Sequence, residues 1–468
     1  MDFHNENNTS EEIKIKLNNL ISQGSTKGYL SLFKTYHEAD IAEALTELDS
    51  KDIQTFFKKV KPEVSVDVLA EMKLTEQTDL ISDIKIELAA KIIEEMEPDD
   101  AADLLEELKE TDHIKANEII NALPHKEASE IINLISYPED SAGAIMTNEF
   151  LSIPENLSIK DAISTLKEKN PPDSEVSFYI YIVNKENQLV GYTTLRNLVF
   201  NDSNKSIKEI RNDNPIKVHS HTDQEQVAQM FRKYDVVALP VVDDKDHLIG
   251  LITIDDIVDV VIEEATEDIN KLSGISEFND EKLISGNIVL SIFSRVPWLL
   301  LTVIGGIVAS FIITAYSSLF QTQHFTLALS LSFVPLLMGL GGNVGNQSAT
   351  IIVRSLAIGH IKETSRSKYI LRETVVGFVI GIIISCLIFF FNFFIAKNSL
   401  LFSSIVGLAL LINISIATFI GSALPIIFKK CKIDPAVASA PFISTTLDIT
   451  GQLIYFSLTL NLIKYFHL

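Results

Sequence analysis

The texture of hydrophobic and polar positions changes abruptly near residue 284. Beyond it, Val296–Tyr316, Thr374–Ile395 and Leu400–Phe428 each run uncharged for about twenty residues or more, the length needed to cross a bilayer core. Leu327–Ile358 is a fourth apolar stretch, interrupted by Gly, Asn and Gln and ending near Arg354. Ala436–Ile463 is a fifth, with Asp448 as its only charge. A large soluble protein can bury one such helix; five in succession predict five membrane-spanning helices in a lipid bilayer.

Ahead of residue 284 the pattern is amphipathic. Residues 41–135 repeat at spacings of 24, 24 and 27, with Leu48, Met72, Met96 and Leu123 in register. Phe56-Phe57, Leu80-Ile81, Leu104-Leu105 and Ile131-Ile132 correspond in the same way. Each unit reads helix, polar turn, helix, so a short α-solenoid is expected, with these apolar positions as its core. Pro98-Asp99-Asp100 opens a helix with Asp99 as the expected N-cap, which leaves Asp103, one turn on, unexplained by capping. Residues 150–262 hold a second repeat, in which Ile180–Gly191 aligns with Leu239–Gly250 at a spacing of 59. Ala162 and Leu166 match Val227 and Phe231 at a spacing of 65, so the first copy carries six extra residues near Pro171-Pro172. Each copy reads helix, strand, turn, strand, helix.

Charge sharpens the division. The chain has 62 acids and 39 Lys or Arg, but only four acids and eleven bases lie from Ser285 onward, so the front is near −30 and the back near +7. A front part of that sign repels phosphates and argues against nucleic acid as a partner; it suits a surface that gathers cations. Two cysteines, Cys386 in an apolar run and Cys431 in a basic loop, support neither a disulfide framework nor a thiolate metal site. The first residues are polar and acidic, so no cleaved signal peptide is expected. Basic residues mark the inner loops: Lys362, Arg366, Lys368 and Arg372 between spans two and three, and Lys429, Lys430 and Lys432 between spans four and five. The front part is then cytosolic and the C-terminus outside.

Three features carry candidate chemistry. Asp255 to Asp268 holds seven acids and no Lys or Arg, and on a helix Asp256, Asp259, Glu263 and Glu267 form one stripe. Such a run is ordinarily a solvated face, but with no basic residue interleaved the like charges repel, and a divalent cation such as Mg²⁺ would relieve them. Gly339 to Gln347 superficially suggests a dinucleotide loop but lacks any βαβ context; its glycines serve either close helix packing or a pathway lined by carbonyls and amides. Asp448 lies halfway along the last span, where a carboxylate either faces a wet path or sits neutral and hydrogen-bonded. One such carboxylate per chain, doubled in a symmetric dimer, could hold a hydrated divalent cation. His219-Ser220-His221 lacks a third ligand and reads as exposed loop.

The second repeat resembles a tandem pair of CBS domains, a regulatory module that often binds adenosine nucleotides. Gly250, Thr253 and Asp256 fit the nucleotide signature, while Gly191, Thr194 and Asn197 fit it loosely, so ATP is a regulatory ligand at most. The whole order resembles the MgtE family of bacterial magnesium channels, on Met96 to Leu105, Tyr137 to Thr147, Gly339 to Thr350 and Asp448-Ile449-Thr450-Gly451. The resemblance implies a multi-domain α plus α/β membrane protein. Its parts are an acidic solenoid (1–136), a CBS pair (137–262), a connecting plug helix (263–284) and a five-helix channel domain (285–468). It implies a homodimer in the bacterial inner membrane, importing Mg²⁺ without enzymatic chemistry. Asp448 matches the family's pore carboxylate and Asn346 a polar pore residue. Asp67, Asp99 and Asp103 match positions that share regulatory Mg²⁺ with Asp223, Glu225, Asp235, Asp256, Asp259, Glu264, Glu267 and Asp268. Ala440 and Ser444 depart from the residues expected to line the last helix. Rival readings are a nucleotide-gated transporter of another substrate, which would place basic or aromatic groups inside the spans, and a soluble CBS-regulated enzyme, which would need a catalytic constellation.

Overall fold

The computed structural model describes residues 6–23, 26–169, 179–276, 288–320, 331–361 and 366–465. The boundary expected at 284–285, the extra residues at Pro171-Pro172 and Lys362 lie outside the described residues. The chain forms two compact units that part between Val260 and Val261.

The first unit begins with α1 (Glu6–Gln23) and α2 (Thr26–Leu32), which bury Ile13, Leu17, Tyr29 and Leu32. The solenoid follows as α3 (Glu38–Thr46), α4 (Ser50–Lys59), α5 (Pro62–Ala70), α6 (Leu74–Asp83), α7 (Ile86–Glu94), α8 (Pro98–Ala122) and α9 (His125–Ile135). The fourth repeat is hidden in α8, which breaks at Asp112 (φ −143°, ψ 77°), where the Asp112 Oδ1 accepts from the Lys115 N–H at 3.1 Å. First helices stack on first helices, α3 on α5 and α5 on α7, while α4 packs on α6 and α6 on α8. Phe56, Phe57, Leu80, Ile81, Leu104 and Leu105 form the core as the 24-residue period requires. Ile132 departs from this: it is 52 % exposed on α9, the last helix of the stack, which has no successor to cover it.

Two three-stranded sheets make the second repeat. One is β1 (Ser152–Pro154), β2 (Tyr179–Val183) and β3 (Leu189–Thr194); the other is β4 (Val218–His219), β5 (Ala238–Val242) and β6 (Leu248–Thr253). In each, a short parallel strand precedes the antiparallel hairpin, an element too brief to register as a periodicity in sequence. The helices are α10 (Ile159–Lys169), α11 (Leu195–Phe200), α12 (Ile207–Ile210) and α13 (Gln224–Tyr234). The 59-residue spacing reappears in the turns, where Asn187 (φ 61°) and Asp246 (φ 64°) both take the left-handed conformation that Asn and Asp tolerate. The two hairpins clasp each other: the Leu189 N–H donates to the Asp246 carbonyl at 3.0 Å, and the Leu248 N–H to the Asn187 carbonyl at 3.2 Å.

Helix α14 (Ile254–Ser273) carries the chain across the division into the second unit. There follow α15 (Ile288–Phe293), α16 (Val296–Phe320), α17 (Val334–Ala357), α18 (Arg366–Phe390), α19 (Leu400–Lys430) and α20 (Ala440–Tyr465). Among the described residues, three stretches are long and apolar enough to cross a membrane: Ile288–Ser317, Arg366–Ile395 and Leu400–Lys430. The two remaining expected spans are α17 and α20, 24 and 26 residues long but more polar. Helix α19 is central, with 56 % of its apolar window buried against 11 % and 17 % for the other two stretches. It packs on α17, α18 and α20, while α16 packs on α20. Small residues permit this: a Cβ on Gly421 of α19 would stand 2.2 Å from the Gly345 carbonyl oxygen of α17.

Candidate metal sites

The acids of the α7–α8 turn meet those at the start of α14 within the first unit. Glu97 takes the N-cap position and Pro98 the first turn of α8, so Asp99 is not the cap expected from sequence. Pro is preorganised for the first helical position and has no N–H to leave unpaired, which moves the cap one residue earlier. Asp99 is 7 % exposed, and its Oδ1 finds no hydrogen-bond partner among the described residues. Burial pushes its carboxyl well above the usual range, and Asp256, Asp100 and Glu97 add to that. Burial, with Asp256, Asp255 and Asp259, lifts Asp100 to about 6. Burial followed by Asp100 lifts Glu97 to about 7, although the Glu97 and Asp100 side chains are both solvent-exposed at the head of α8. Asp256 is raised by burial and held down in part by Thr253, whose Oγ1–H donates to it at 2.5 Å and whose N–H donates at 3.2 Å. Asp259 is raised by burial and Asp255.

No cation is among the groups acting most strongly on these five carboxyls. Yet among the described residues no three Asp, Glu, His or Cys side chains converge closely enough to hold a bare metal ion. Sequence reasoning selected Asp99, Asp256 and Asp259 but passed over Glu97, Asp100 and Asp255. The signal was present in the uninterrupted Glu97-Pro98-Asp99-Asp100, where helical periodicity drew attention to Asp103 instead. Asp103 stays exposed on α8. Asp67 is exposed on α5, its carboxyl raised by partial desolvation and then by Glu38.

Two further acids stand at the ends of α13. Asp223 caps α13, its Oδ1 accepting from the Glu225 N–H at 3.0 Å and the Gln226 N–H at 3.4 Å. Asp235 ends the same helix in the left-handed conformation (φ 50°), and Glu225 accepts from Gln229 Nε2 at 3.3 Å.

In the second unit the acidic stripe does find a base. Lys271, three residues past the run, pairs with Glu267 and reaches Asp434 Oδ2 at 2.6 Å, tying the end of α14 to the connection between α19 and α20. Burial, and next Asp434, lifts Asp268 to about 6, with Lys271 opposing. Glu264 is half-buried on the same helix.

Within the membrane unit Asp448 is half-buried on α20 and has no hydrogen-bond or ion-pair partner among the described residues. Asn346 on α17 donates from Nδ2 to Ser444 Oγ at 3.2 Å, and its Oδ1 is buried with no partner among the described residues. Ser444, a departure in the sequence comparison, is thus the contact that orients Asn346.

The nucleotide signature at Gly250, Thr253 and Asp256 spans the end of β6 and the start of α14. A Cβ on Gly250 would stand 2.4 Å from Met146 Sδ, and Asp256 is bonded to Thr253. An open cleft of 550 Å³ lies beside the loosely matching first copy, lined by Tyr179, Thr194, Leu195, Arg196, Asn197 and Val237.

Family profiles match the same parts of the chain. The MgtE intracellular N domain matches residues 36–140, CBS domains match 142–203 and 207–263, and MgtE, a divalent cation transporter, matches 334–458. The magnesium transporter MgtE of Enterococcus faecalis is 38 % identical over 331 residues, 70 % of this chain and 71 % of that one. The chain belongs to the MgtE family. The MgtE of Thermus thermophilus is 35 % identical over 328 residues, again 70 % of this chain and 71 % of the relative. Among solved structures, the soluble part of a magnesium transporter aligns at a TM-score of 0.51 and 35 % identity, covering 55 % of this chain and 99 % of that one. The cytosolic domain of the Mg²⁺ channel MgtE in complex with ATP aligns at 0.50 and 28 %, covering 53 % and 99 %. The chain is thus a member of a membrane transporter family with a cytosolic N-terminal part.

Proposed function

We propose that this MgtE-family chain is a Mg²⁺-selective channel that imports magnesium and is closed by cytosolic Mg²⁺ bound to its own acids. The observation that carries the reading is Asp99, 7 % exposed, with one oxygen unpartnered among the described residues and with Asp256, Asp100 and Glu97 near enough to act on its charge. Like charges held close together are costly, most of all at the buried Asp99, unless a counter-ion joins them. Mg²⁺ prefers oxygen ligands and retains several waters, so it bridges carboxylates too far apart for direct coordination. At low Mg²⁺ the acids repel, the solenoid leaves the CBS pair and the plug segment with Glu264, Glu267 and Asp268 shifts to open the path. At high Mg²⁺ the bridges favour the closed state, by no more than the difference in Mg²⁺ affinity between the two states.

Transport itself uses no covalent step. Asp448 from each chain of a homodimer holds the hydrated ion, and Asn346 adds an amide on the cytosolic side. The basic loops support a cytosolic front part and an external C-terminus in the inner membrane. The ATP-bound relative supports ATP as a regulatory ligand of the CBS pair, in the cleft between Arg196, Asn197 and Tyr179.

Mg²⁺ uptake into liposomes tests the path: Asp448→Ala is expected to abolish it, and wild-type uptake by that variant removes the assignment. Protease resistance of residues 1–260 tests the sensor, since millimolar Mg²⁺ should raise it; indifference to Mg²⁺ refutes the closure.

A further inference from the structure

The membrane unit buries an amide that packing alone does not call for. Gln452 on α20 is 2 % exposed, and among the described residues its Nε2 meets only the Met338 thioether, a weak acceptor, at 3.2 Å. Its Oε1 is buried with no partner among the described residues. Asn346 Oδ1 is in the same condition. Both lie in one seam, because α17 and α20 run antiparallel with Asn346 against Ser444, Gly345 against Ile443 and Leu447, and Met338 against Gln452. Asp448 falls between them on α20, four residues from Ser444 and four from Gln452, with Gly342 and Asn346 of α17 both set against Ser444. An orphaned carbonyl within a bilayer is expensive, and Leu or Met would fill the same space without that cost.

We propose that Gln452 is a specificity-determining residue of the cation path, its Oε1 accepting hydrogen bonds from the water shell of a divalent cation held at Asp448. The inference rests on the assignment of Asp448 to that path. A hydrated divalent cation points polarised O–H groups outward in every direction, and the two oxygens of one carboxylate per chain leave many of them unmatched. Neutral amide oxygens a turn either side of Asp448, on Gln452 and Asn346, supply acceptors without adding charge that would trap the ion. Weakly polarised shells, such as those of monovalent ions, gain less from the same oxygens.

The test uses the full chain in liposomes, with Mg²⁺ flux and its inhibition by hexaamminecobalt(III), whose non-exchanging ammine ligands donate hydrogen bonds as the Mg²⁺ shell does. Gln452→Met keeps the length and removes the acceptor. Flux and hexaammine affinity are each expected to fall about tenfold, the worth of one such hydrogen bond, with the thermal midpoint unchanged or higher. Gln452→Glu keeps an acceptor in place and adds charge, so hexaammine inhibition should tighten. Wild-type flux and inhibition in Gln452→Met overturn the proposal, and so does lost flux with a lowered midpoint and unaltered half-inhibition, which would mark a packing residue. If Gln452→Met does not assemble, Gln452→Glu decides, and unaltered half-inhibition refutes. Normal flux in Asp448→Ala sinks the path assignment itself, whereas a dead Asp448→Ala beside a silent Gln452→Met sinks only the role of Gln452.

Discussion

Replacing Asp99 by Asn removes one carboxyl from the cluster at the head of α8 while keeping its size and shape. Asp99 is nearly fully buried, and Asp256, Asp100 and Glu97 all act against its charge. Two like charges about 4–8 Å apart repel by roughly 2–4 kcal/mol at an effective dielectric near 20. The cluster relieves part of its repulsion by holding protons, so one full repulsion is a reasonable measure of what the substitution removes. Whether Asp99 carries a proton or a charge at neutral pH, unfolding returns it to the ordinary range, so the metal-free fold bears a cost that Asn lacks. For a unit spanning Met1–Val260, at about 2–4 °C per kcal/mol, the metal-free midpoint should rise by roughly 5–15 °C. The midpoint gain from millimolar Mg²⁺ should shrink at the same time, because a bridging ligand is lost. Thermal melts of the purified full chain, in chelator and in Mg²⁺, measure both. An Asp99→Asn protein that melts at the wild-type temperature in chelator, and gains as much from Mg²⁺, refutes the idea of a repulsive cluster awaiting an ion.

Two further outcomes are expected. Glu97 and Asp100 have folded-state values raised to about 7 and about 6, so the native state binds protons that the unfolded chain has released. Metal-free stability is then fullest below the ordinary carboxylate range near 4.5 and is lost as pH rises through about 7; a chelator-state midpoint that climbs between pH 5 and 8 contradicts this. Gly421→Ala drives a Cβ against the Gly345 backbone, which cannot yield as a side chain would, and should cost about 1–3 kcal/mol by prising α17 from α19. Melting in detergent checks it, and an unchanged midpoint shows the contact to be looser than described.

Periodicity alone determined much of this protein. A spacing of 24 residues fixes a stack of helix pairs, one of 59 fixes twin hairpins, and long uncharged runs fix membrane helices, because each follows from burying one face of a regular element. The same reasoning singled out Asp448, since a charge in an apolar run is conspicuous without any coordinates. What sequence could not decide is which acids meet. Asp99 and Asp256 are 157 positions apart, and only the fold brings the start of α14 close to Asp99, Asp100 and Glu97 at the head of α8. Nor does a local pattern reveal that Lys271 reaches Asp434 across 163 positions, or that Pro98 displaces the helix cap. Gln452 is silent for the same reason: an amide in a helix is unremarkable until neighbouring helices close over it and leave its oxygen with no partner among the described residues. Local chemistry is written along the chain, but electrostatic cost depends on distance and burial through space, and those are properties of the tertiary fold.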